Sequence, residues 1–375
     1  MAGEERNPNA RRNVSVNYSM RRVRMNPKTW ASVLLSVFVI LCLPGGSIAD
    51  GFDDSQIKHI VYPEWFDENP FSDLSEELDT ARSGGKQGLM VLFTTEGCSY
   101  CHLFVRKSLG DPALASRVQQ HFESAGLEIF DDTEMTDPRG VSIPIKEFAV
   151  REGAEFAPTL LFYDLDGERI LKVVGYQSPD RFRAILDYLS GQHYRTQSLR
   201  EYFARRAEAE EERTERIVVG LREDPLFGKP PYVLDRSATP AKRPLLVIFE
   251  KADSPECENF HTEVLARDEV RDVLTQFEVM RFDAADDKTS LVGPDGGMAT
   301  PASWFVQTEF TRVPALMFFN EEGVAVLQTD ALVLQQRMMN SLNYVLERAY
   351  ERGWSYQRFA RSQAIARQQT EQKGR

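Results

Sequence analysis

The sequence predicts an α/β protein built from two tandem copies of one domain, each a mixed central sheet flanked by helices. Two observations carry this. Short, continuous apolar runs alternate with helical segments, which is the pattern of strands buried on both faces. Landmarks of the first half also recur in the second at a constant offset of 156 residues. Leu89-Met90-Val91-Leu92-Phe93 precedes Cys98-Ser99-Tyr100-Cys101, and Leu245-Leu246-Val247-Ile248-Phe249 precedes Ser254-Pro255-Glu256-Cys257. Ala157-Pro158-Thr159-Leu160-Leu161-Phe162 likewise matches Val313-Pro314-Ala315-Leu316-Met317-Phe318. The register persists through Gly167 and Gly323 to Phe203-Ala204-Arg205 and Phe359-Ala360-Arg361, so the chain reads as a duplication.

Within the first copy, the opening strand leads through a turn into a helix that carries the cysteines. Asp111-Pro112 supplies an N-cap and a first helical position for a second helix reaching Phe122. A strand is expected over 127–130 and a helix over 145–152. The proline-led strand should pair as a hairpin with 170–174 across Asp166-Gly167, followed by a helix over 178–189. The tract 195–216, with Glu208, Glu210, Glu211 and Glu212 close together, reads as a solvated connecting helix. The polar tail after Ala364 is expected to fray.

The first 49 residues read as an export signal. Arg21, Arg22, Arg24 and Lys28 flank an apolar run from Trp30 to Leu43, and Ser47-Ile48-Ala49 offers small residues to a peptidase. At ~1.5 Å per residue that run spans about 21 Å, short of a ~30 Å hydrocarbon core, which favours cleavage after Ala49 over a retained anchor. The expected location is the periplasm, with anchorage to the inner membrane facing the periplasm as the alternative. The net charge of −12 argues against a nucleic-acid or anionic-membrane binder. Four cysteines, at 42, 98, 101 and 257, are too few for a disulfide-stapled scaffold.

A Cys-x-x-Cys pair alone fits zinc or redox chemistry. Zinc wants four ligands, and the five histidines (59, 102, 121, 193 and 261) are scattered, with no second Cys-x-x-Cys. No metal or cofactor is therefore expected. Gly97-Cys98-Ser99-Tyr100-Cys101-His102 after a strand, with Ala157-Pro158-Thr159 opening a later strand, resembles the active-site loop and cis-proline segment of the thioredoxin superfamily. The resemblance covers roughly residues 60–190 and 240–350. It implies that Cys98 is the attacking thiolate, that Cys101 resolves the mixed disulfide, and that Ala157, Pro158 and Tyr100 meet the substrate. It also implies cis bonds at Pro158 and Pro314. Independently of it, a helix N-terminus stabilises a thiolate through its free N–H groups and dipole. One departure is that the buried carboxylate many thioredoxins carry before the cysteines is replaced by Leu92, and by Ile248 in the second copy. His102 has two readings, a partner for the Cys98 thiolate or a solvent-facing helix residue.

The second copy is degenerate at Ser254, Cys257 and Pro314. Serine cannot attack disulfides near neutral pH, and Cys257 reads as a buried small hydrophobe, with a partner-trapping thiol as the weaker reading. That copy is expected to be a binding or dimerisation module. Tyr62, Trp65, Trp354 and Tyr356 read as packing anchors. The chain thus partitions into 1–49 (signal peptide or anchor), 50–195 (redox domain), 196–239 (charged helical linker), 240–350 (degenerate domain) and 351–375 (helix and tail). The expected activity is a thiol–disulfide oxidoreductase, reducing protein disulfides. The lack of a sizeable helical insertion between Phe130 and Pro158 sets it apart from DsbA-type oxidases. The competing reading is a non-catalytic tandem scaffold with a structural 98–101 disulfide. The partners implied are disulfide-bearing client proteins, a membrane thiol reductase as electron donor, and a second chain in a homodimer.

Overall fold

The structure is a computed structural model that describes residues 52–66, 73–154, 156–211 and 221–373, so the expected export signal lies outside the described residues. In chain order the elements are α1 (Leu74–Ser83), β1 (Gly88–Thr94), α2 (Ser99–Phe104), α3 (Pro112–His121), β2 (Phe122–Glu128), β3 (Glu134–Thr136), β4 (Ser142–Pro144), α4 (Ile145–Arg151), β5 (Thr159–Asp164), β6 (Arg169–Val174), α5 (Pro179–Ser190) and α6 (Leu199–Glu211). The second half follows with β7 (Tyr232–Val233), β8 (Leu245–Glu250), α7 (Pro255–Phe260), α8 (Asp268–Leu274), β9 (Glu278–Asp283), β10 (Leu291–Val292), β11 (Met298–Ala299), α9 (Pro301–Gln307), β12 (Ala315–Phe319), β13 (Ala325–Thr329), α10 (Gln335–Leu346) and α11 (Tyr356–Lys373).

Each copy forms a four-stranded mixed sheet, ordered β2-β1-β5-β6 in the first and β13-β12-β8-β9 in the second. β1 runs parallel to β2 and antiparallel to β5. β8 stands in the same relation to β9 and β12. Every residue of β1 and of β8 is buried, which explains runs that are apolar throughout instead of alternating. The copies share fine detail: α2 and α7 each continue into one π-helical turn, Val105–Leu109 and His261–Leu265. The Asp111 carboxylate caps α3 by accepting from the Ala113 and Leu114 N–H groups, with Pro112 at the first position.

Three expectations need correction. β2 spans Phe122–Glu128 instead of 127–130, because it starts directly where α3 ends, and Glu123, Ser124 and Gly126 hide its apolar alternation. The stretch 221–239 is not helical linker: Phe227, Leu234 and Arg236 are buried in the second copy, and β7 pairs with β10. The polar tail after Ala364 is helical as far as Lys373, where α11 ends, and the first turns of that helix are held by buried Tyr356 and Phe359. Of the expected aromatic anchors, Tyr356 stacks on Phe156 and Tyr62 on Phe66.

Candidate active site

β1 ends at Thr94 and the chain turns through Thr95, Glu96 and Gly97 to place Cys98 as the N-cap of α2. Gly97 takes φ +78°, a conformation that favours glycine. Cys98 and Cys101 form a disulfide, with Cα atoms 5.3 Å apart. The Cys101 N–H donates to the Cys98 sulfur at 3.1 Å, so the helix end points a free donor at the first sulfur. Cys98 is 8% exposed and Cys101 fully buried, which leaves the first sulfur as the one a partner can reach.

Tyr100, between the cysteines, is held on every side. Its hydroxyl donates to Asp54 Oδ2 at 2.7 Å and accepts from the Leu334 N–H at 3.1 Å. The Arg337 guanidinium lies 3.4 Å from its ring centroid. Burial, then the Asp54 charge, push its phenol pKa well above the ordinary value, so it stays protonated. Burial and the nearby Arg106 and Lys58 lower the His102 pKa, so at neutral pH its imidazole is uncharged and lends a Cys98 thiolate no positive charge. Leu92 is fully buried within β1. In the second copy a buried carboxylate, Glu250, closes β8 and bonds to His261 at 3.0 Å. Its counterpart in the first copy is Thr94, which shares a hydrogen bond with Tyr62.

The Ala157–Pro158 and Val313–Pro314 bonds are both cis. Ala157 and Pro158 are buried against the second copy: the Ala157 N–H donates to Gln357 Oε1 and its carbonyl accepts from Arg337 Nη2, each at 3.2 Å. The structure therefore gathers Cys98, Tyr100, Arg337 and Gln357 about one cleft of about 270 Å³. Asp54, Arg337 and Gln357 escaped the sequence reading. One signal existed: Arg337 stands 156 residues after Arg181, so the same arginine occurs in both copies.

In the second copy Ser254 caps α7 by accepting from the Cys257 N–H at 3.2 Å. Cys257 is buried, and burial pushes its thiol pKa up to about 12. The sulfur is thus expected to resist iodoacetamide in the native protein at pH 8 and to label on unfolding; rapid native labelling at Cys257, read by peptide mapping, would contradict its packing. An unfolded thiol ionises near 9.0 while the buried one does not, so stability falls as pH rises from 9.0 toward about 12. Among the described residues no group of three or more His, Cys, Asp or Glu is placed to hold a metal ion.

The family profile of the thioredoxin-like domain matches residues 74–190 and again 235–346. Among solved structures, a thioredoxin-fold protein from Helicobacter pylori is 21% identical, covering 37% of this chain and 88% of its own, with a TM-score of 0.31. A thioredoxin from Thermus thermophilus is 25% identical over 34% of this chain and 88% of its own, TM-score 0.26. A disulphide isomerase from Xylella fastidiosa is 14% identical over 35% and 98%, TM-score 0.27. No curated protein matches by sequence.

Proposed function

The chain belongs to the thioredoxin-like domain family and is equipped as a thiol–disulfide oxidoreductase, and on that premise we propose that it works as a reductase of disulfides outside the cytoplasm. The observation that carries the chemistry is the asymmetry of the pair, a reachable Cys98 at a helix N-terminus in front of a fully buried Cys101. In the reduced form the Cys98 thiolate attacks one sulfur of a partner disulfide, forming a mixed disulfide and expelling the first partner thiolate. Cys101 then attacks Cys98, closing the 98–101 disulfide and expelling the second. Two electrons pass to the partner, and the two departing thiolates take up protons.

The reductant direction is favoured by what lies between Phe130 and Pro158. Among the described residues there, a short hairpin and the seven-residue α4 are the only elements, with no inserted helical domain of the DsbA kind. The location rests on the basic flank and the fourteen-residue apolar run of residues 30–43. Among the described residues no helix is long and apolar enough to cross a membrane. A donor that recharges the dithiol, such as a membrane thiol reductase, completes the cycle. Client proteins carrying disulfides are the substrates this reading starts from.

Equilibration of the 98–101 couple with glutathione tests the direction. A potential near about −270 mV is expected, and a value near about −120 mV would make the protein an oxidant.

A further inference from the structure

The two copies embrace reciprocally, each through the segment beside its cis proline. Arg337 of α10 donates to the Ala157 carbonyl of the first copy. Its counterpart Arg181 of α5 donates to Thr311 Oγ1 of the second copy at 2.8 Å. Arg312, next but one before Pro314, reaches back to the Tyr176 carbonyl at 3.3 Å. The proline segment of the degenerate copy is therefore spent on holding the first copy, instead of standing free for another protein.

A latch reinforces this closure on the active side. The N-cap of α10, Leu334, has no side-chain oxygen to offer, and Asp54 supplies the missing acceptor. Its Oδ1 accepts from the Gln336 N–H at 3.1 Å and its Oδ2 from the Arg337 N–H at 2.9 Å. The same Oδ2 takes the Tyr100 hydroxyl, so one carboxylate ties the turn between the cysteines to the second copy.

This closure bears on what can reach Cys98. Sheet pairing of β5 begins at Thr159, which leaves the Ala157 N–H and carbonyl outside the ladder, where an extended chain would add by main-chain hydrogen bonds. Gln357 and Arg337 already hold both groups. Cys98 also lines a cleft of about 270 Å³, just below the ~300–1,000 Å³ range of ordinary ligand sites and of a size that suits a small disulfide.

We propose that the second copy sets the substrate class of the redox site: closed as seen, it admits small-molecule disulfides to Cys98, and a polypeptide disulfide gains access only when α10 and α11 release Ala157. This rests on the oxidoreductase reading and refines its substrate. The chemistry is the exchange written above, the small disulfide RSSR leaving as two RSH while the 98–101 dithiol becomes the disulfide.

The test compares kcat/KM of the reduced full-length protein for 2-hydroxyethyl disulfide and for insulin, in the wild type and in Asp54→Ala. Opening the latch is expected to raise the insulin-to-small-disulfide ratio by about tenfold or more. Gln357→Ala removes one of the contacts at Ala157 without touching the N-terminus of α10, and gives the same comparison should Asp54→Ala fail to fold. Ratios unchanged within about twofold, with both substrates turned over, would overturn the gate and leave the oxidoreductase standing. Turnover of neither substrate by any form would remove the oxidoreductase reading, and the gate with it.

Discussion

Cys98→Ser is expected to bring disulfide exchange down to the uncatalysed background, a loss of about a thousandfold or more. The reacting species is a thiolate, and a serine hydroxyl in the same N-cap position does not ionise near neutral pH even with the helix end behind it. The fold should survive, because Ser254 performs this capping role in the second copy, accepting from the Cys257 N–H as Cys98 accepts from the Cys101 N–H. Cys101→Ser should behave differently. Attack by Cys98 remains, but the fully buried position behind it can no longer resolve the intermediate, so the mixed disulfide accumulates. Single-turnover kinetics with 2-hydroxyethyl disulfide and mass spectrometry of the trapped adduct separate the two variants. Retention of exchange within about tenfold in Cys98→Ser would mean that the sulfur doing the work lies elsewhere.

The roles of the two cysteines are the part of the site that local sequence could express. A strand ending at Thr94, a glycine at 97 and a helix starting at Ser99 are all encoded within a dozen residues, and those residues fix the place of Cys98. The 156-residue offset extends this local logic to the second copy, down to matching π-helical turns. Most of what surrounds the sulfur has no local signature in the sequence. Asp54, Arg337 and Gln357 are polar residues in segments without a motif, and they come together because two domains pack. A carboxylate capping a helix 282 residues away has no sequence signature. The same reason hid the start of the second domain. Phe227, Leu234 and Arg236 are buried there, yet they sit in a stretch whose Pro, Gly and charge content reads as linker. Arg236 shows why a charge can be core: it donates to the carbonyls of Arg243 and Asn320 and pairs with Glu278.

Gly88→Ala is expected to destabilise the protein by about 3 kcal/mol or more, through main-chain collision instead of lost packing. Gly88 opens β1 opposite Asp164 of β5, and a Cβ added there would sit 1.9 Å from the Tyr163 carbonyl oxygen and 3.0 Å from its carbon. Both obstacles are backbone, so no side chain can rotate away; β1 and β5 would have to part at this end. The second copy shows the same junction handled another way. The counterpart of Gly88 is Pro244, and pairing of β8 with β12 starts one residue later, at Leu245 opposite Phe319, because proline offers no N–H to the ladder. Gly84→Ala is the control. Its φ of −79° suits any residue, and its nearest neighbour, the Thr80 carbonyl, stands 3.3 Å away, so a cost under about 1 kcal/mol is expected. Denaturant unfolding of the two variants measures the difference. Since β1 leads directly to Cys98, partial separation of β1 from β5 should also slow disulfide exchange in Gly88→Ala, whereas Gly84→Ala should match the wild type. Equal stability of the two variants would show that the β1–β5 approach is looser than these distances make it.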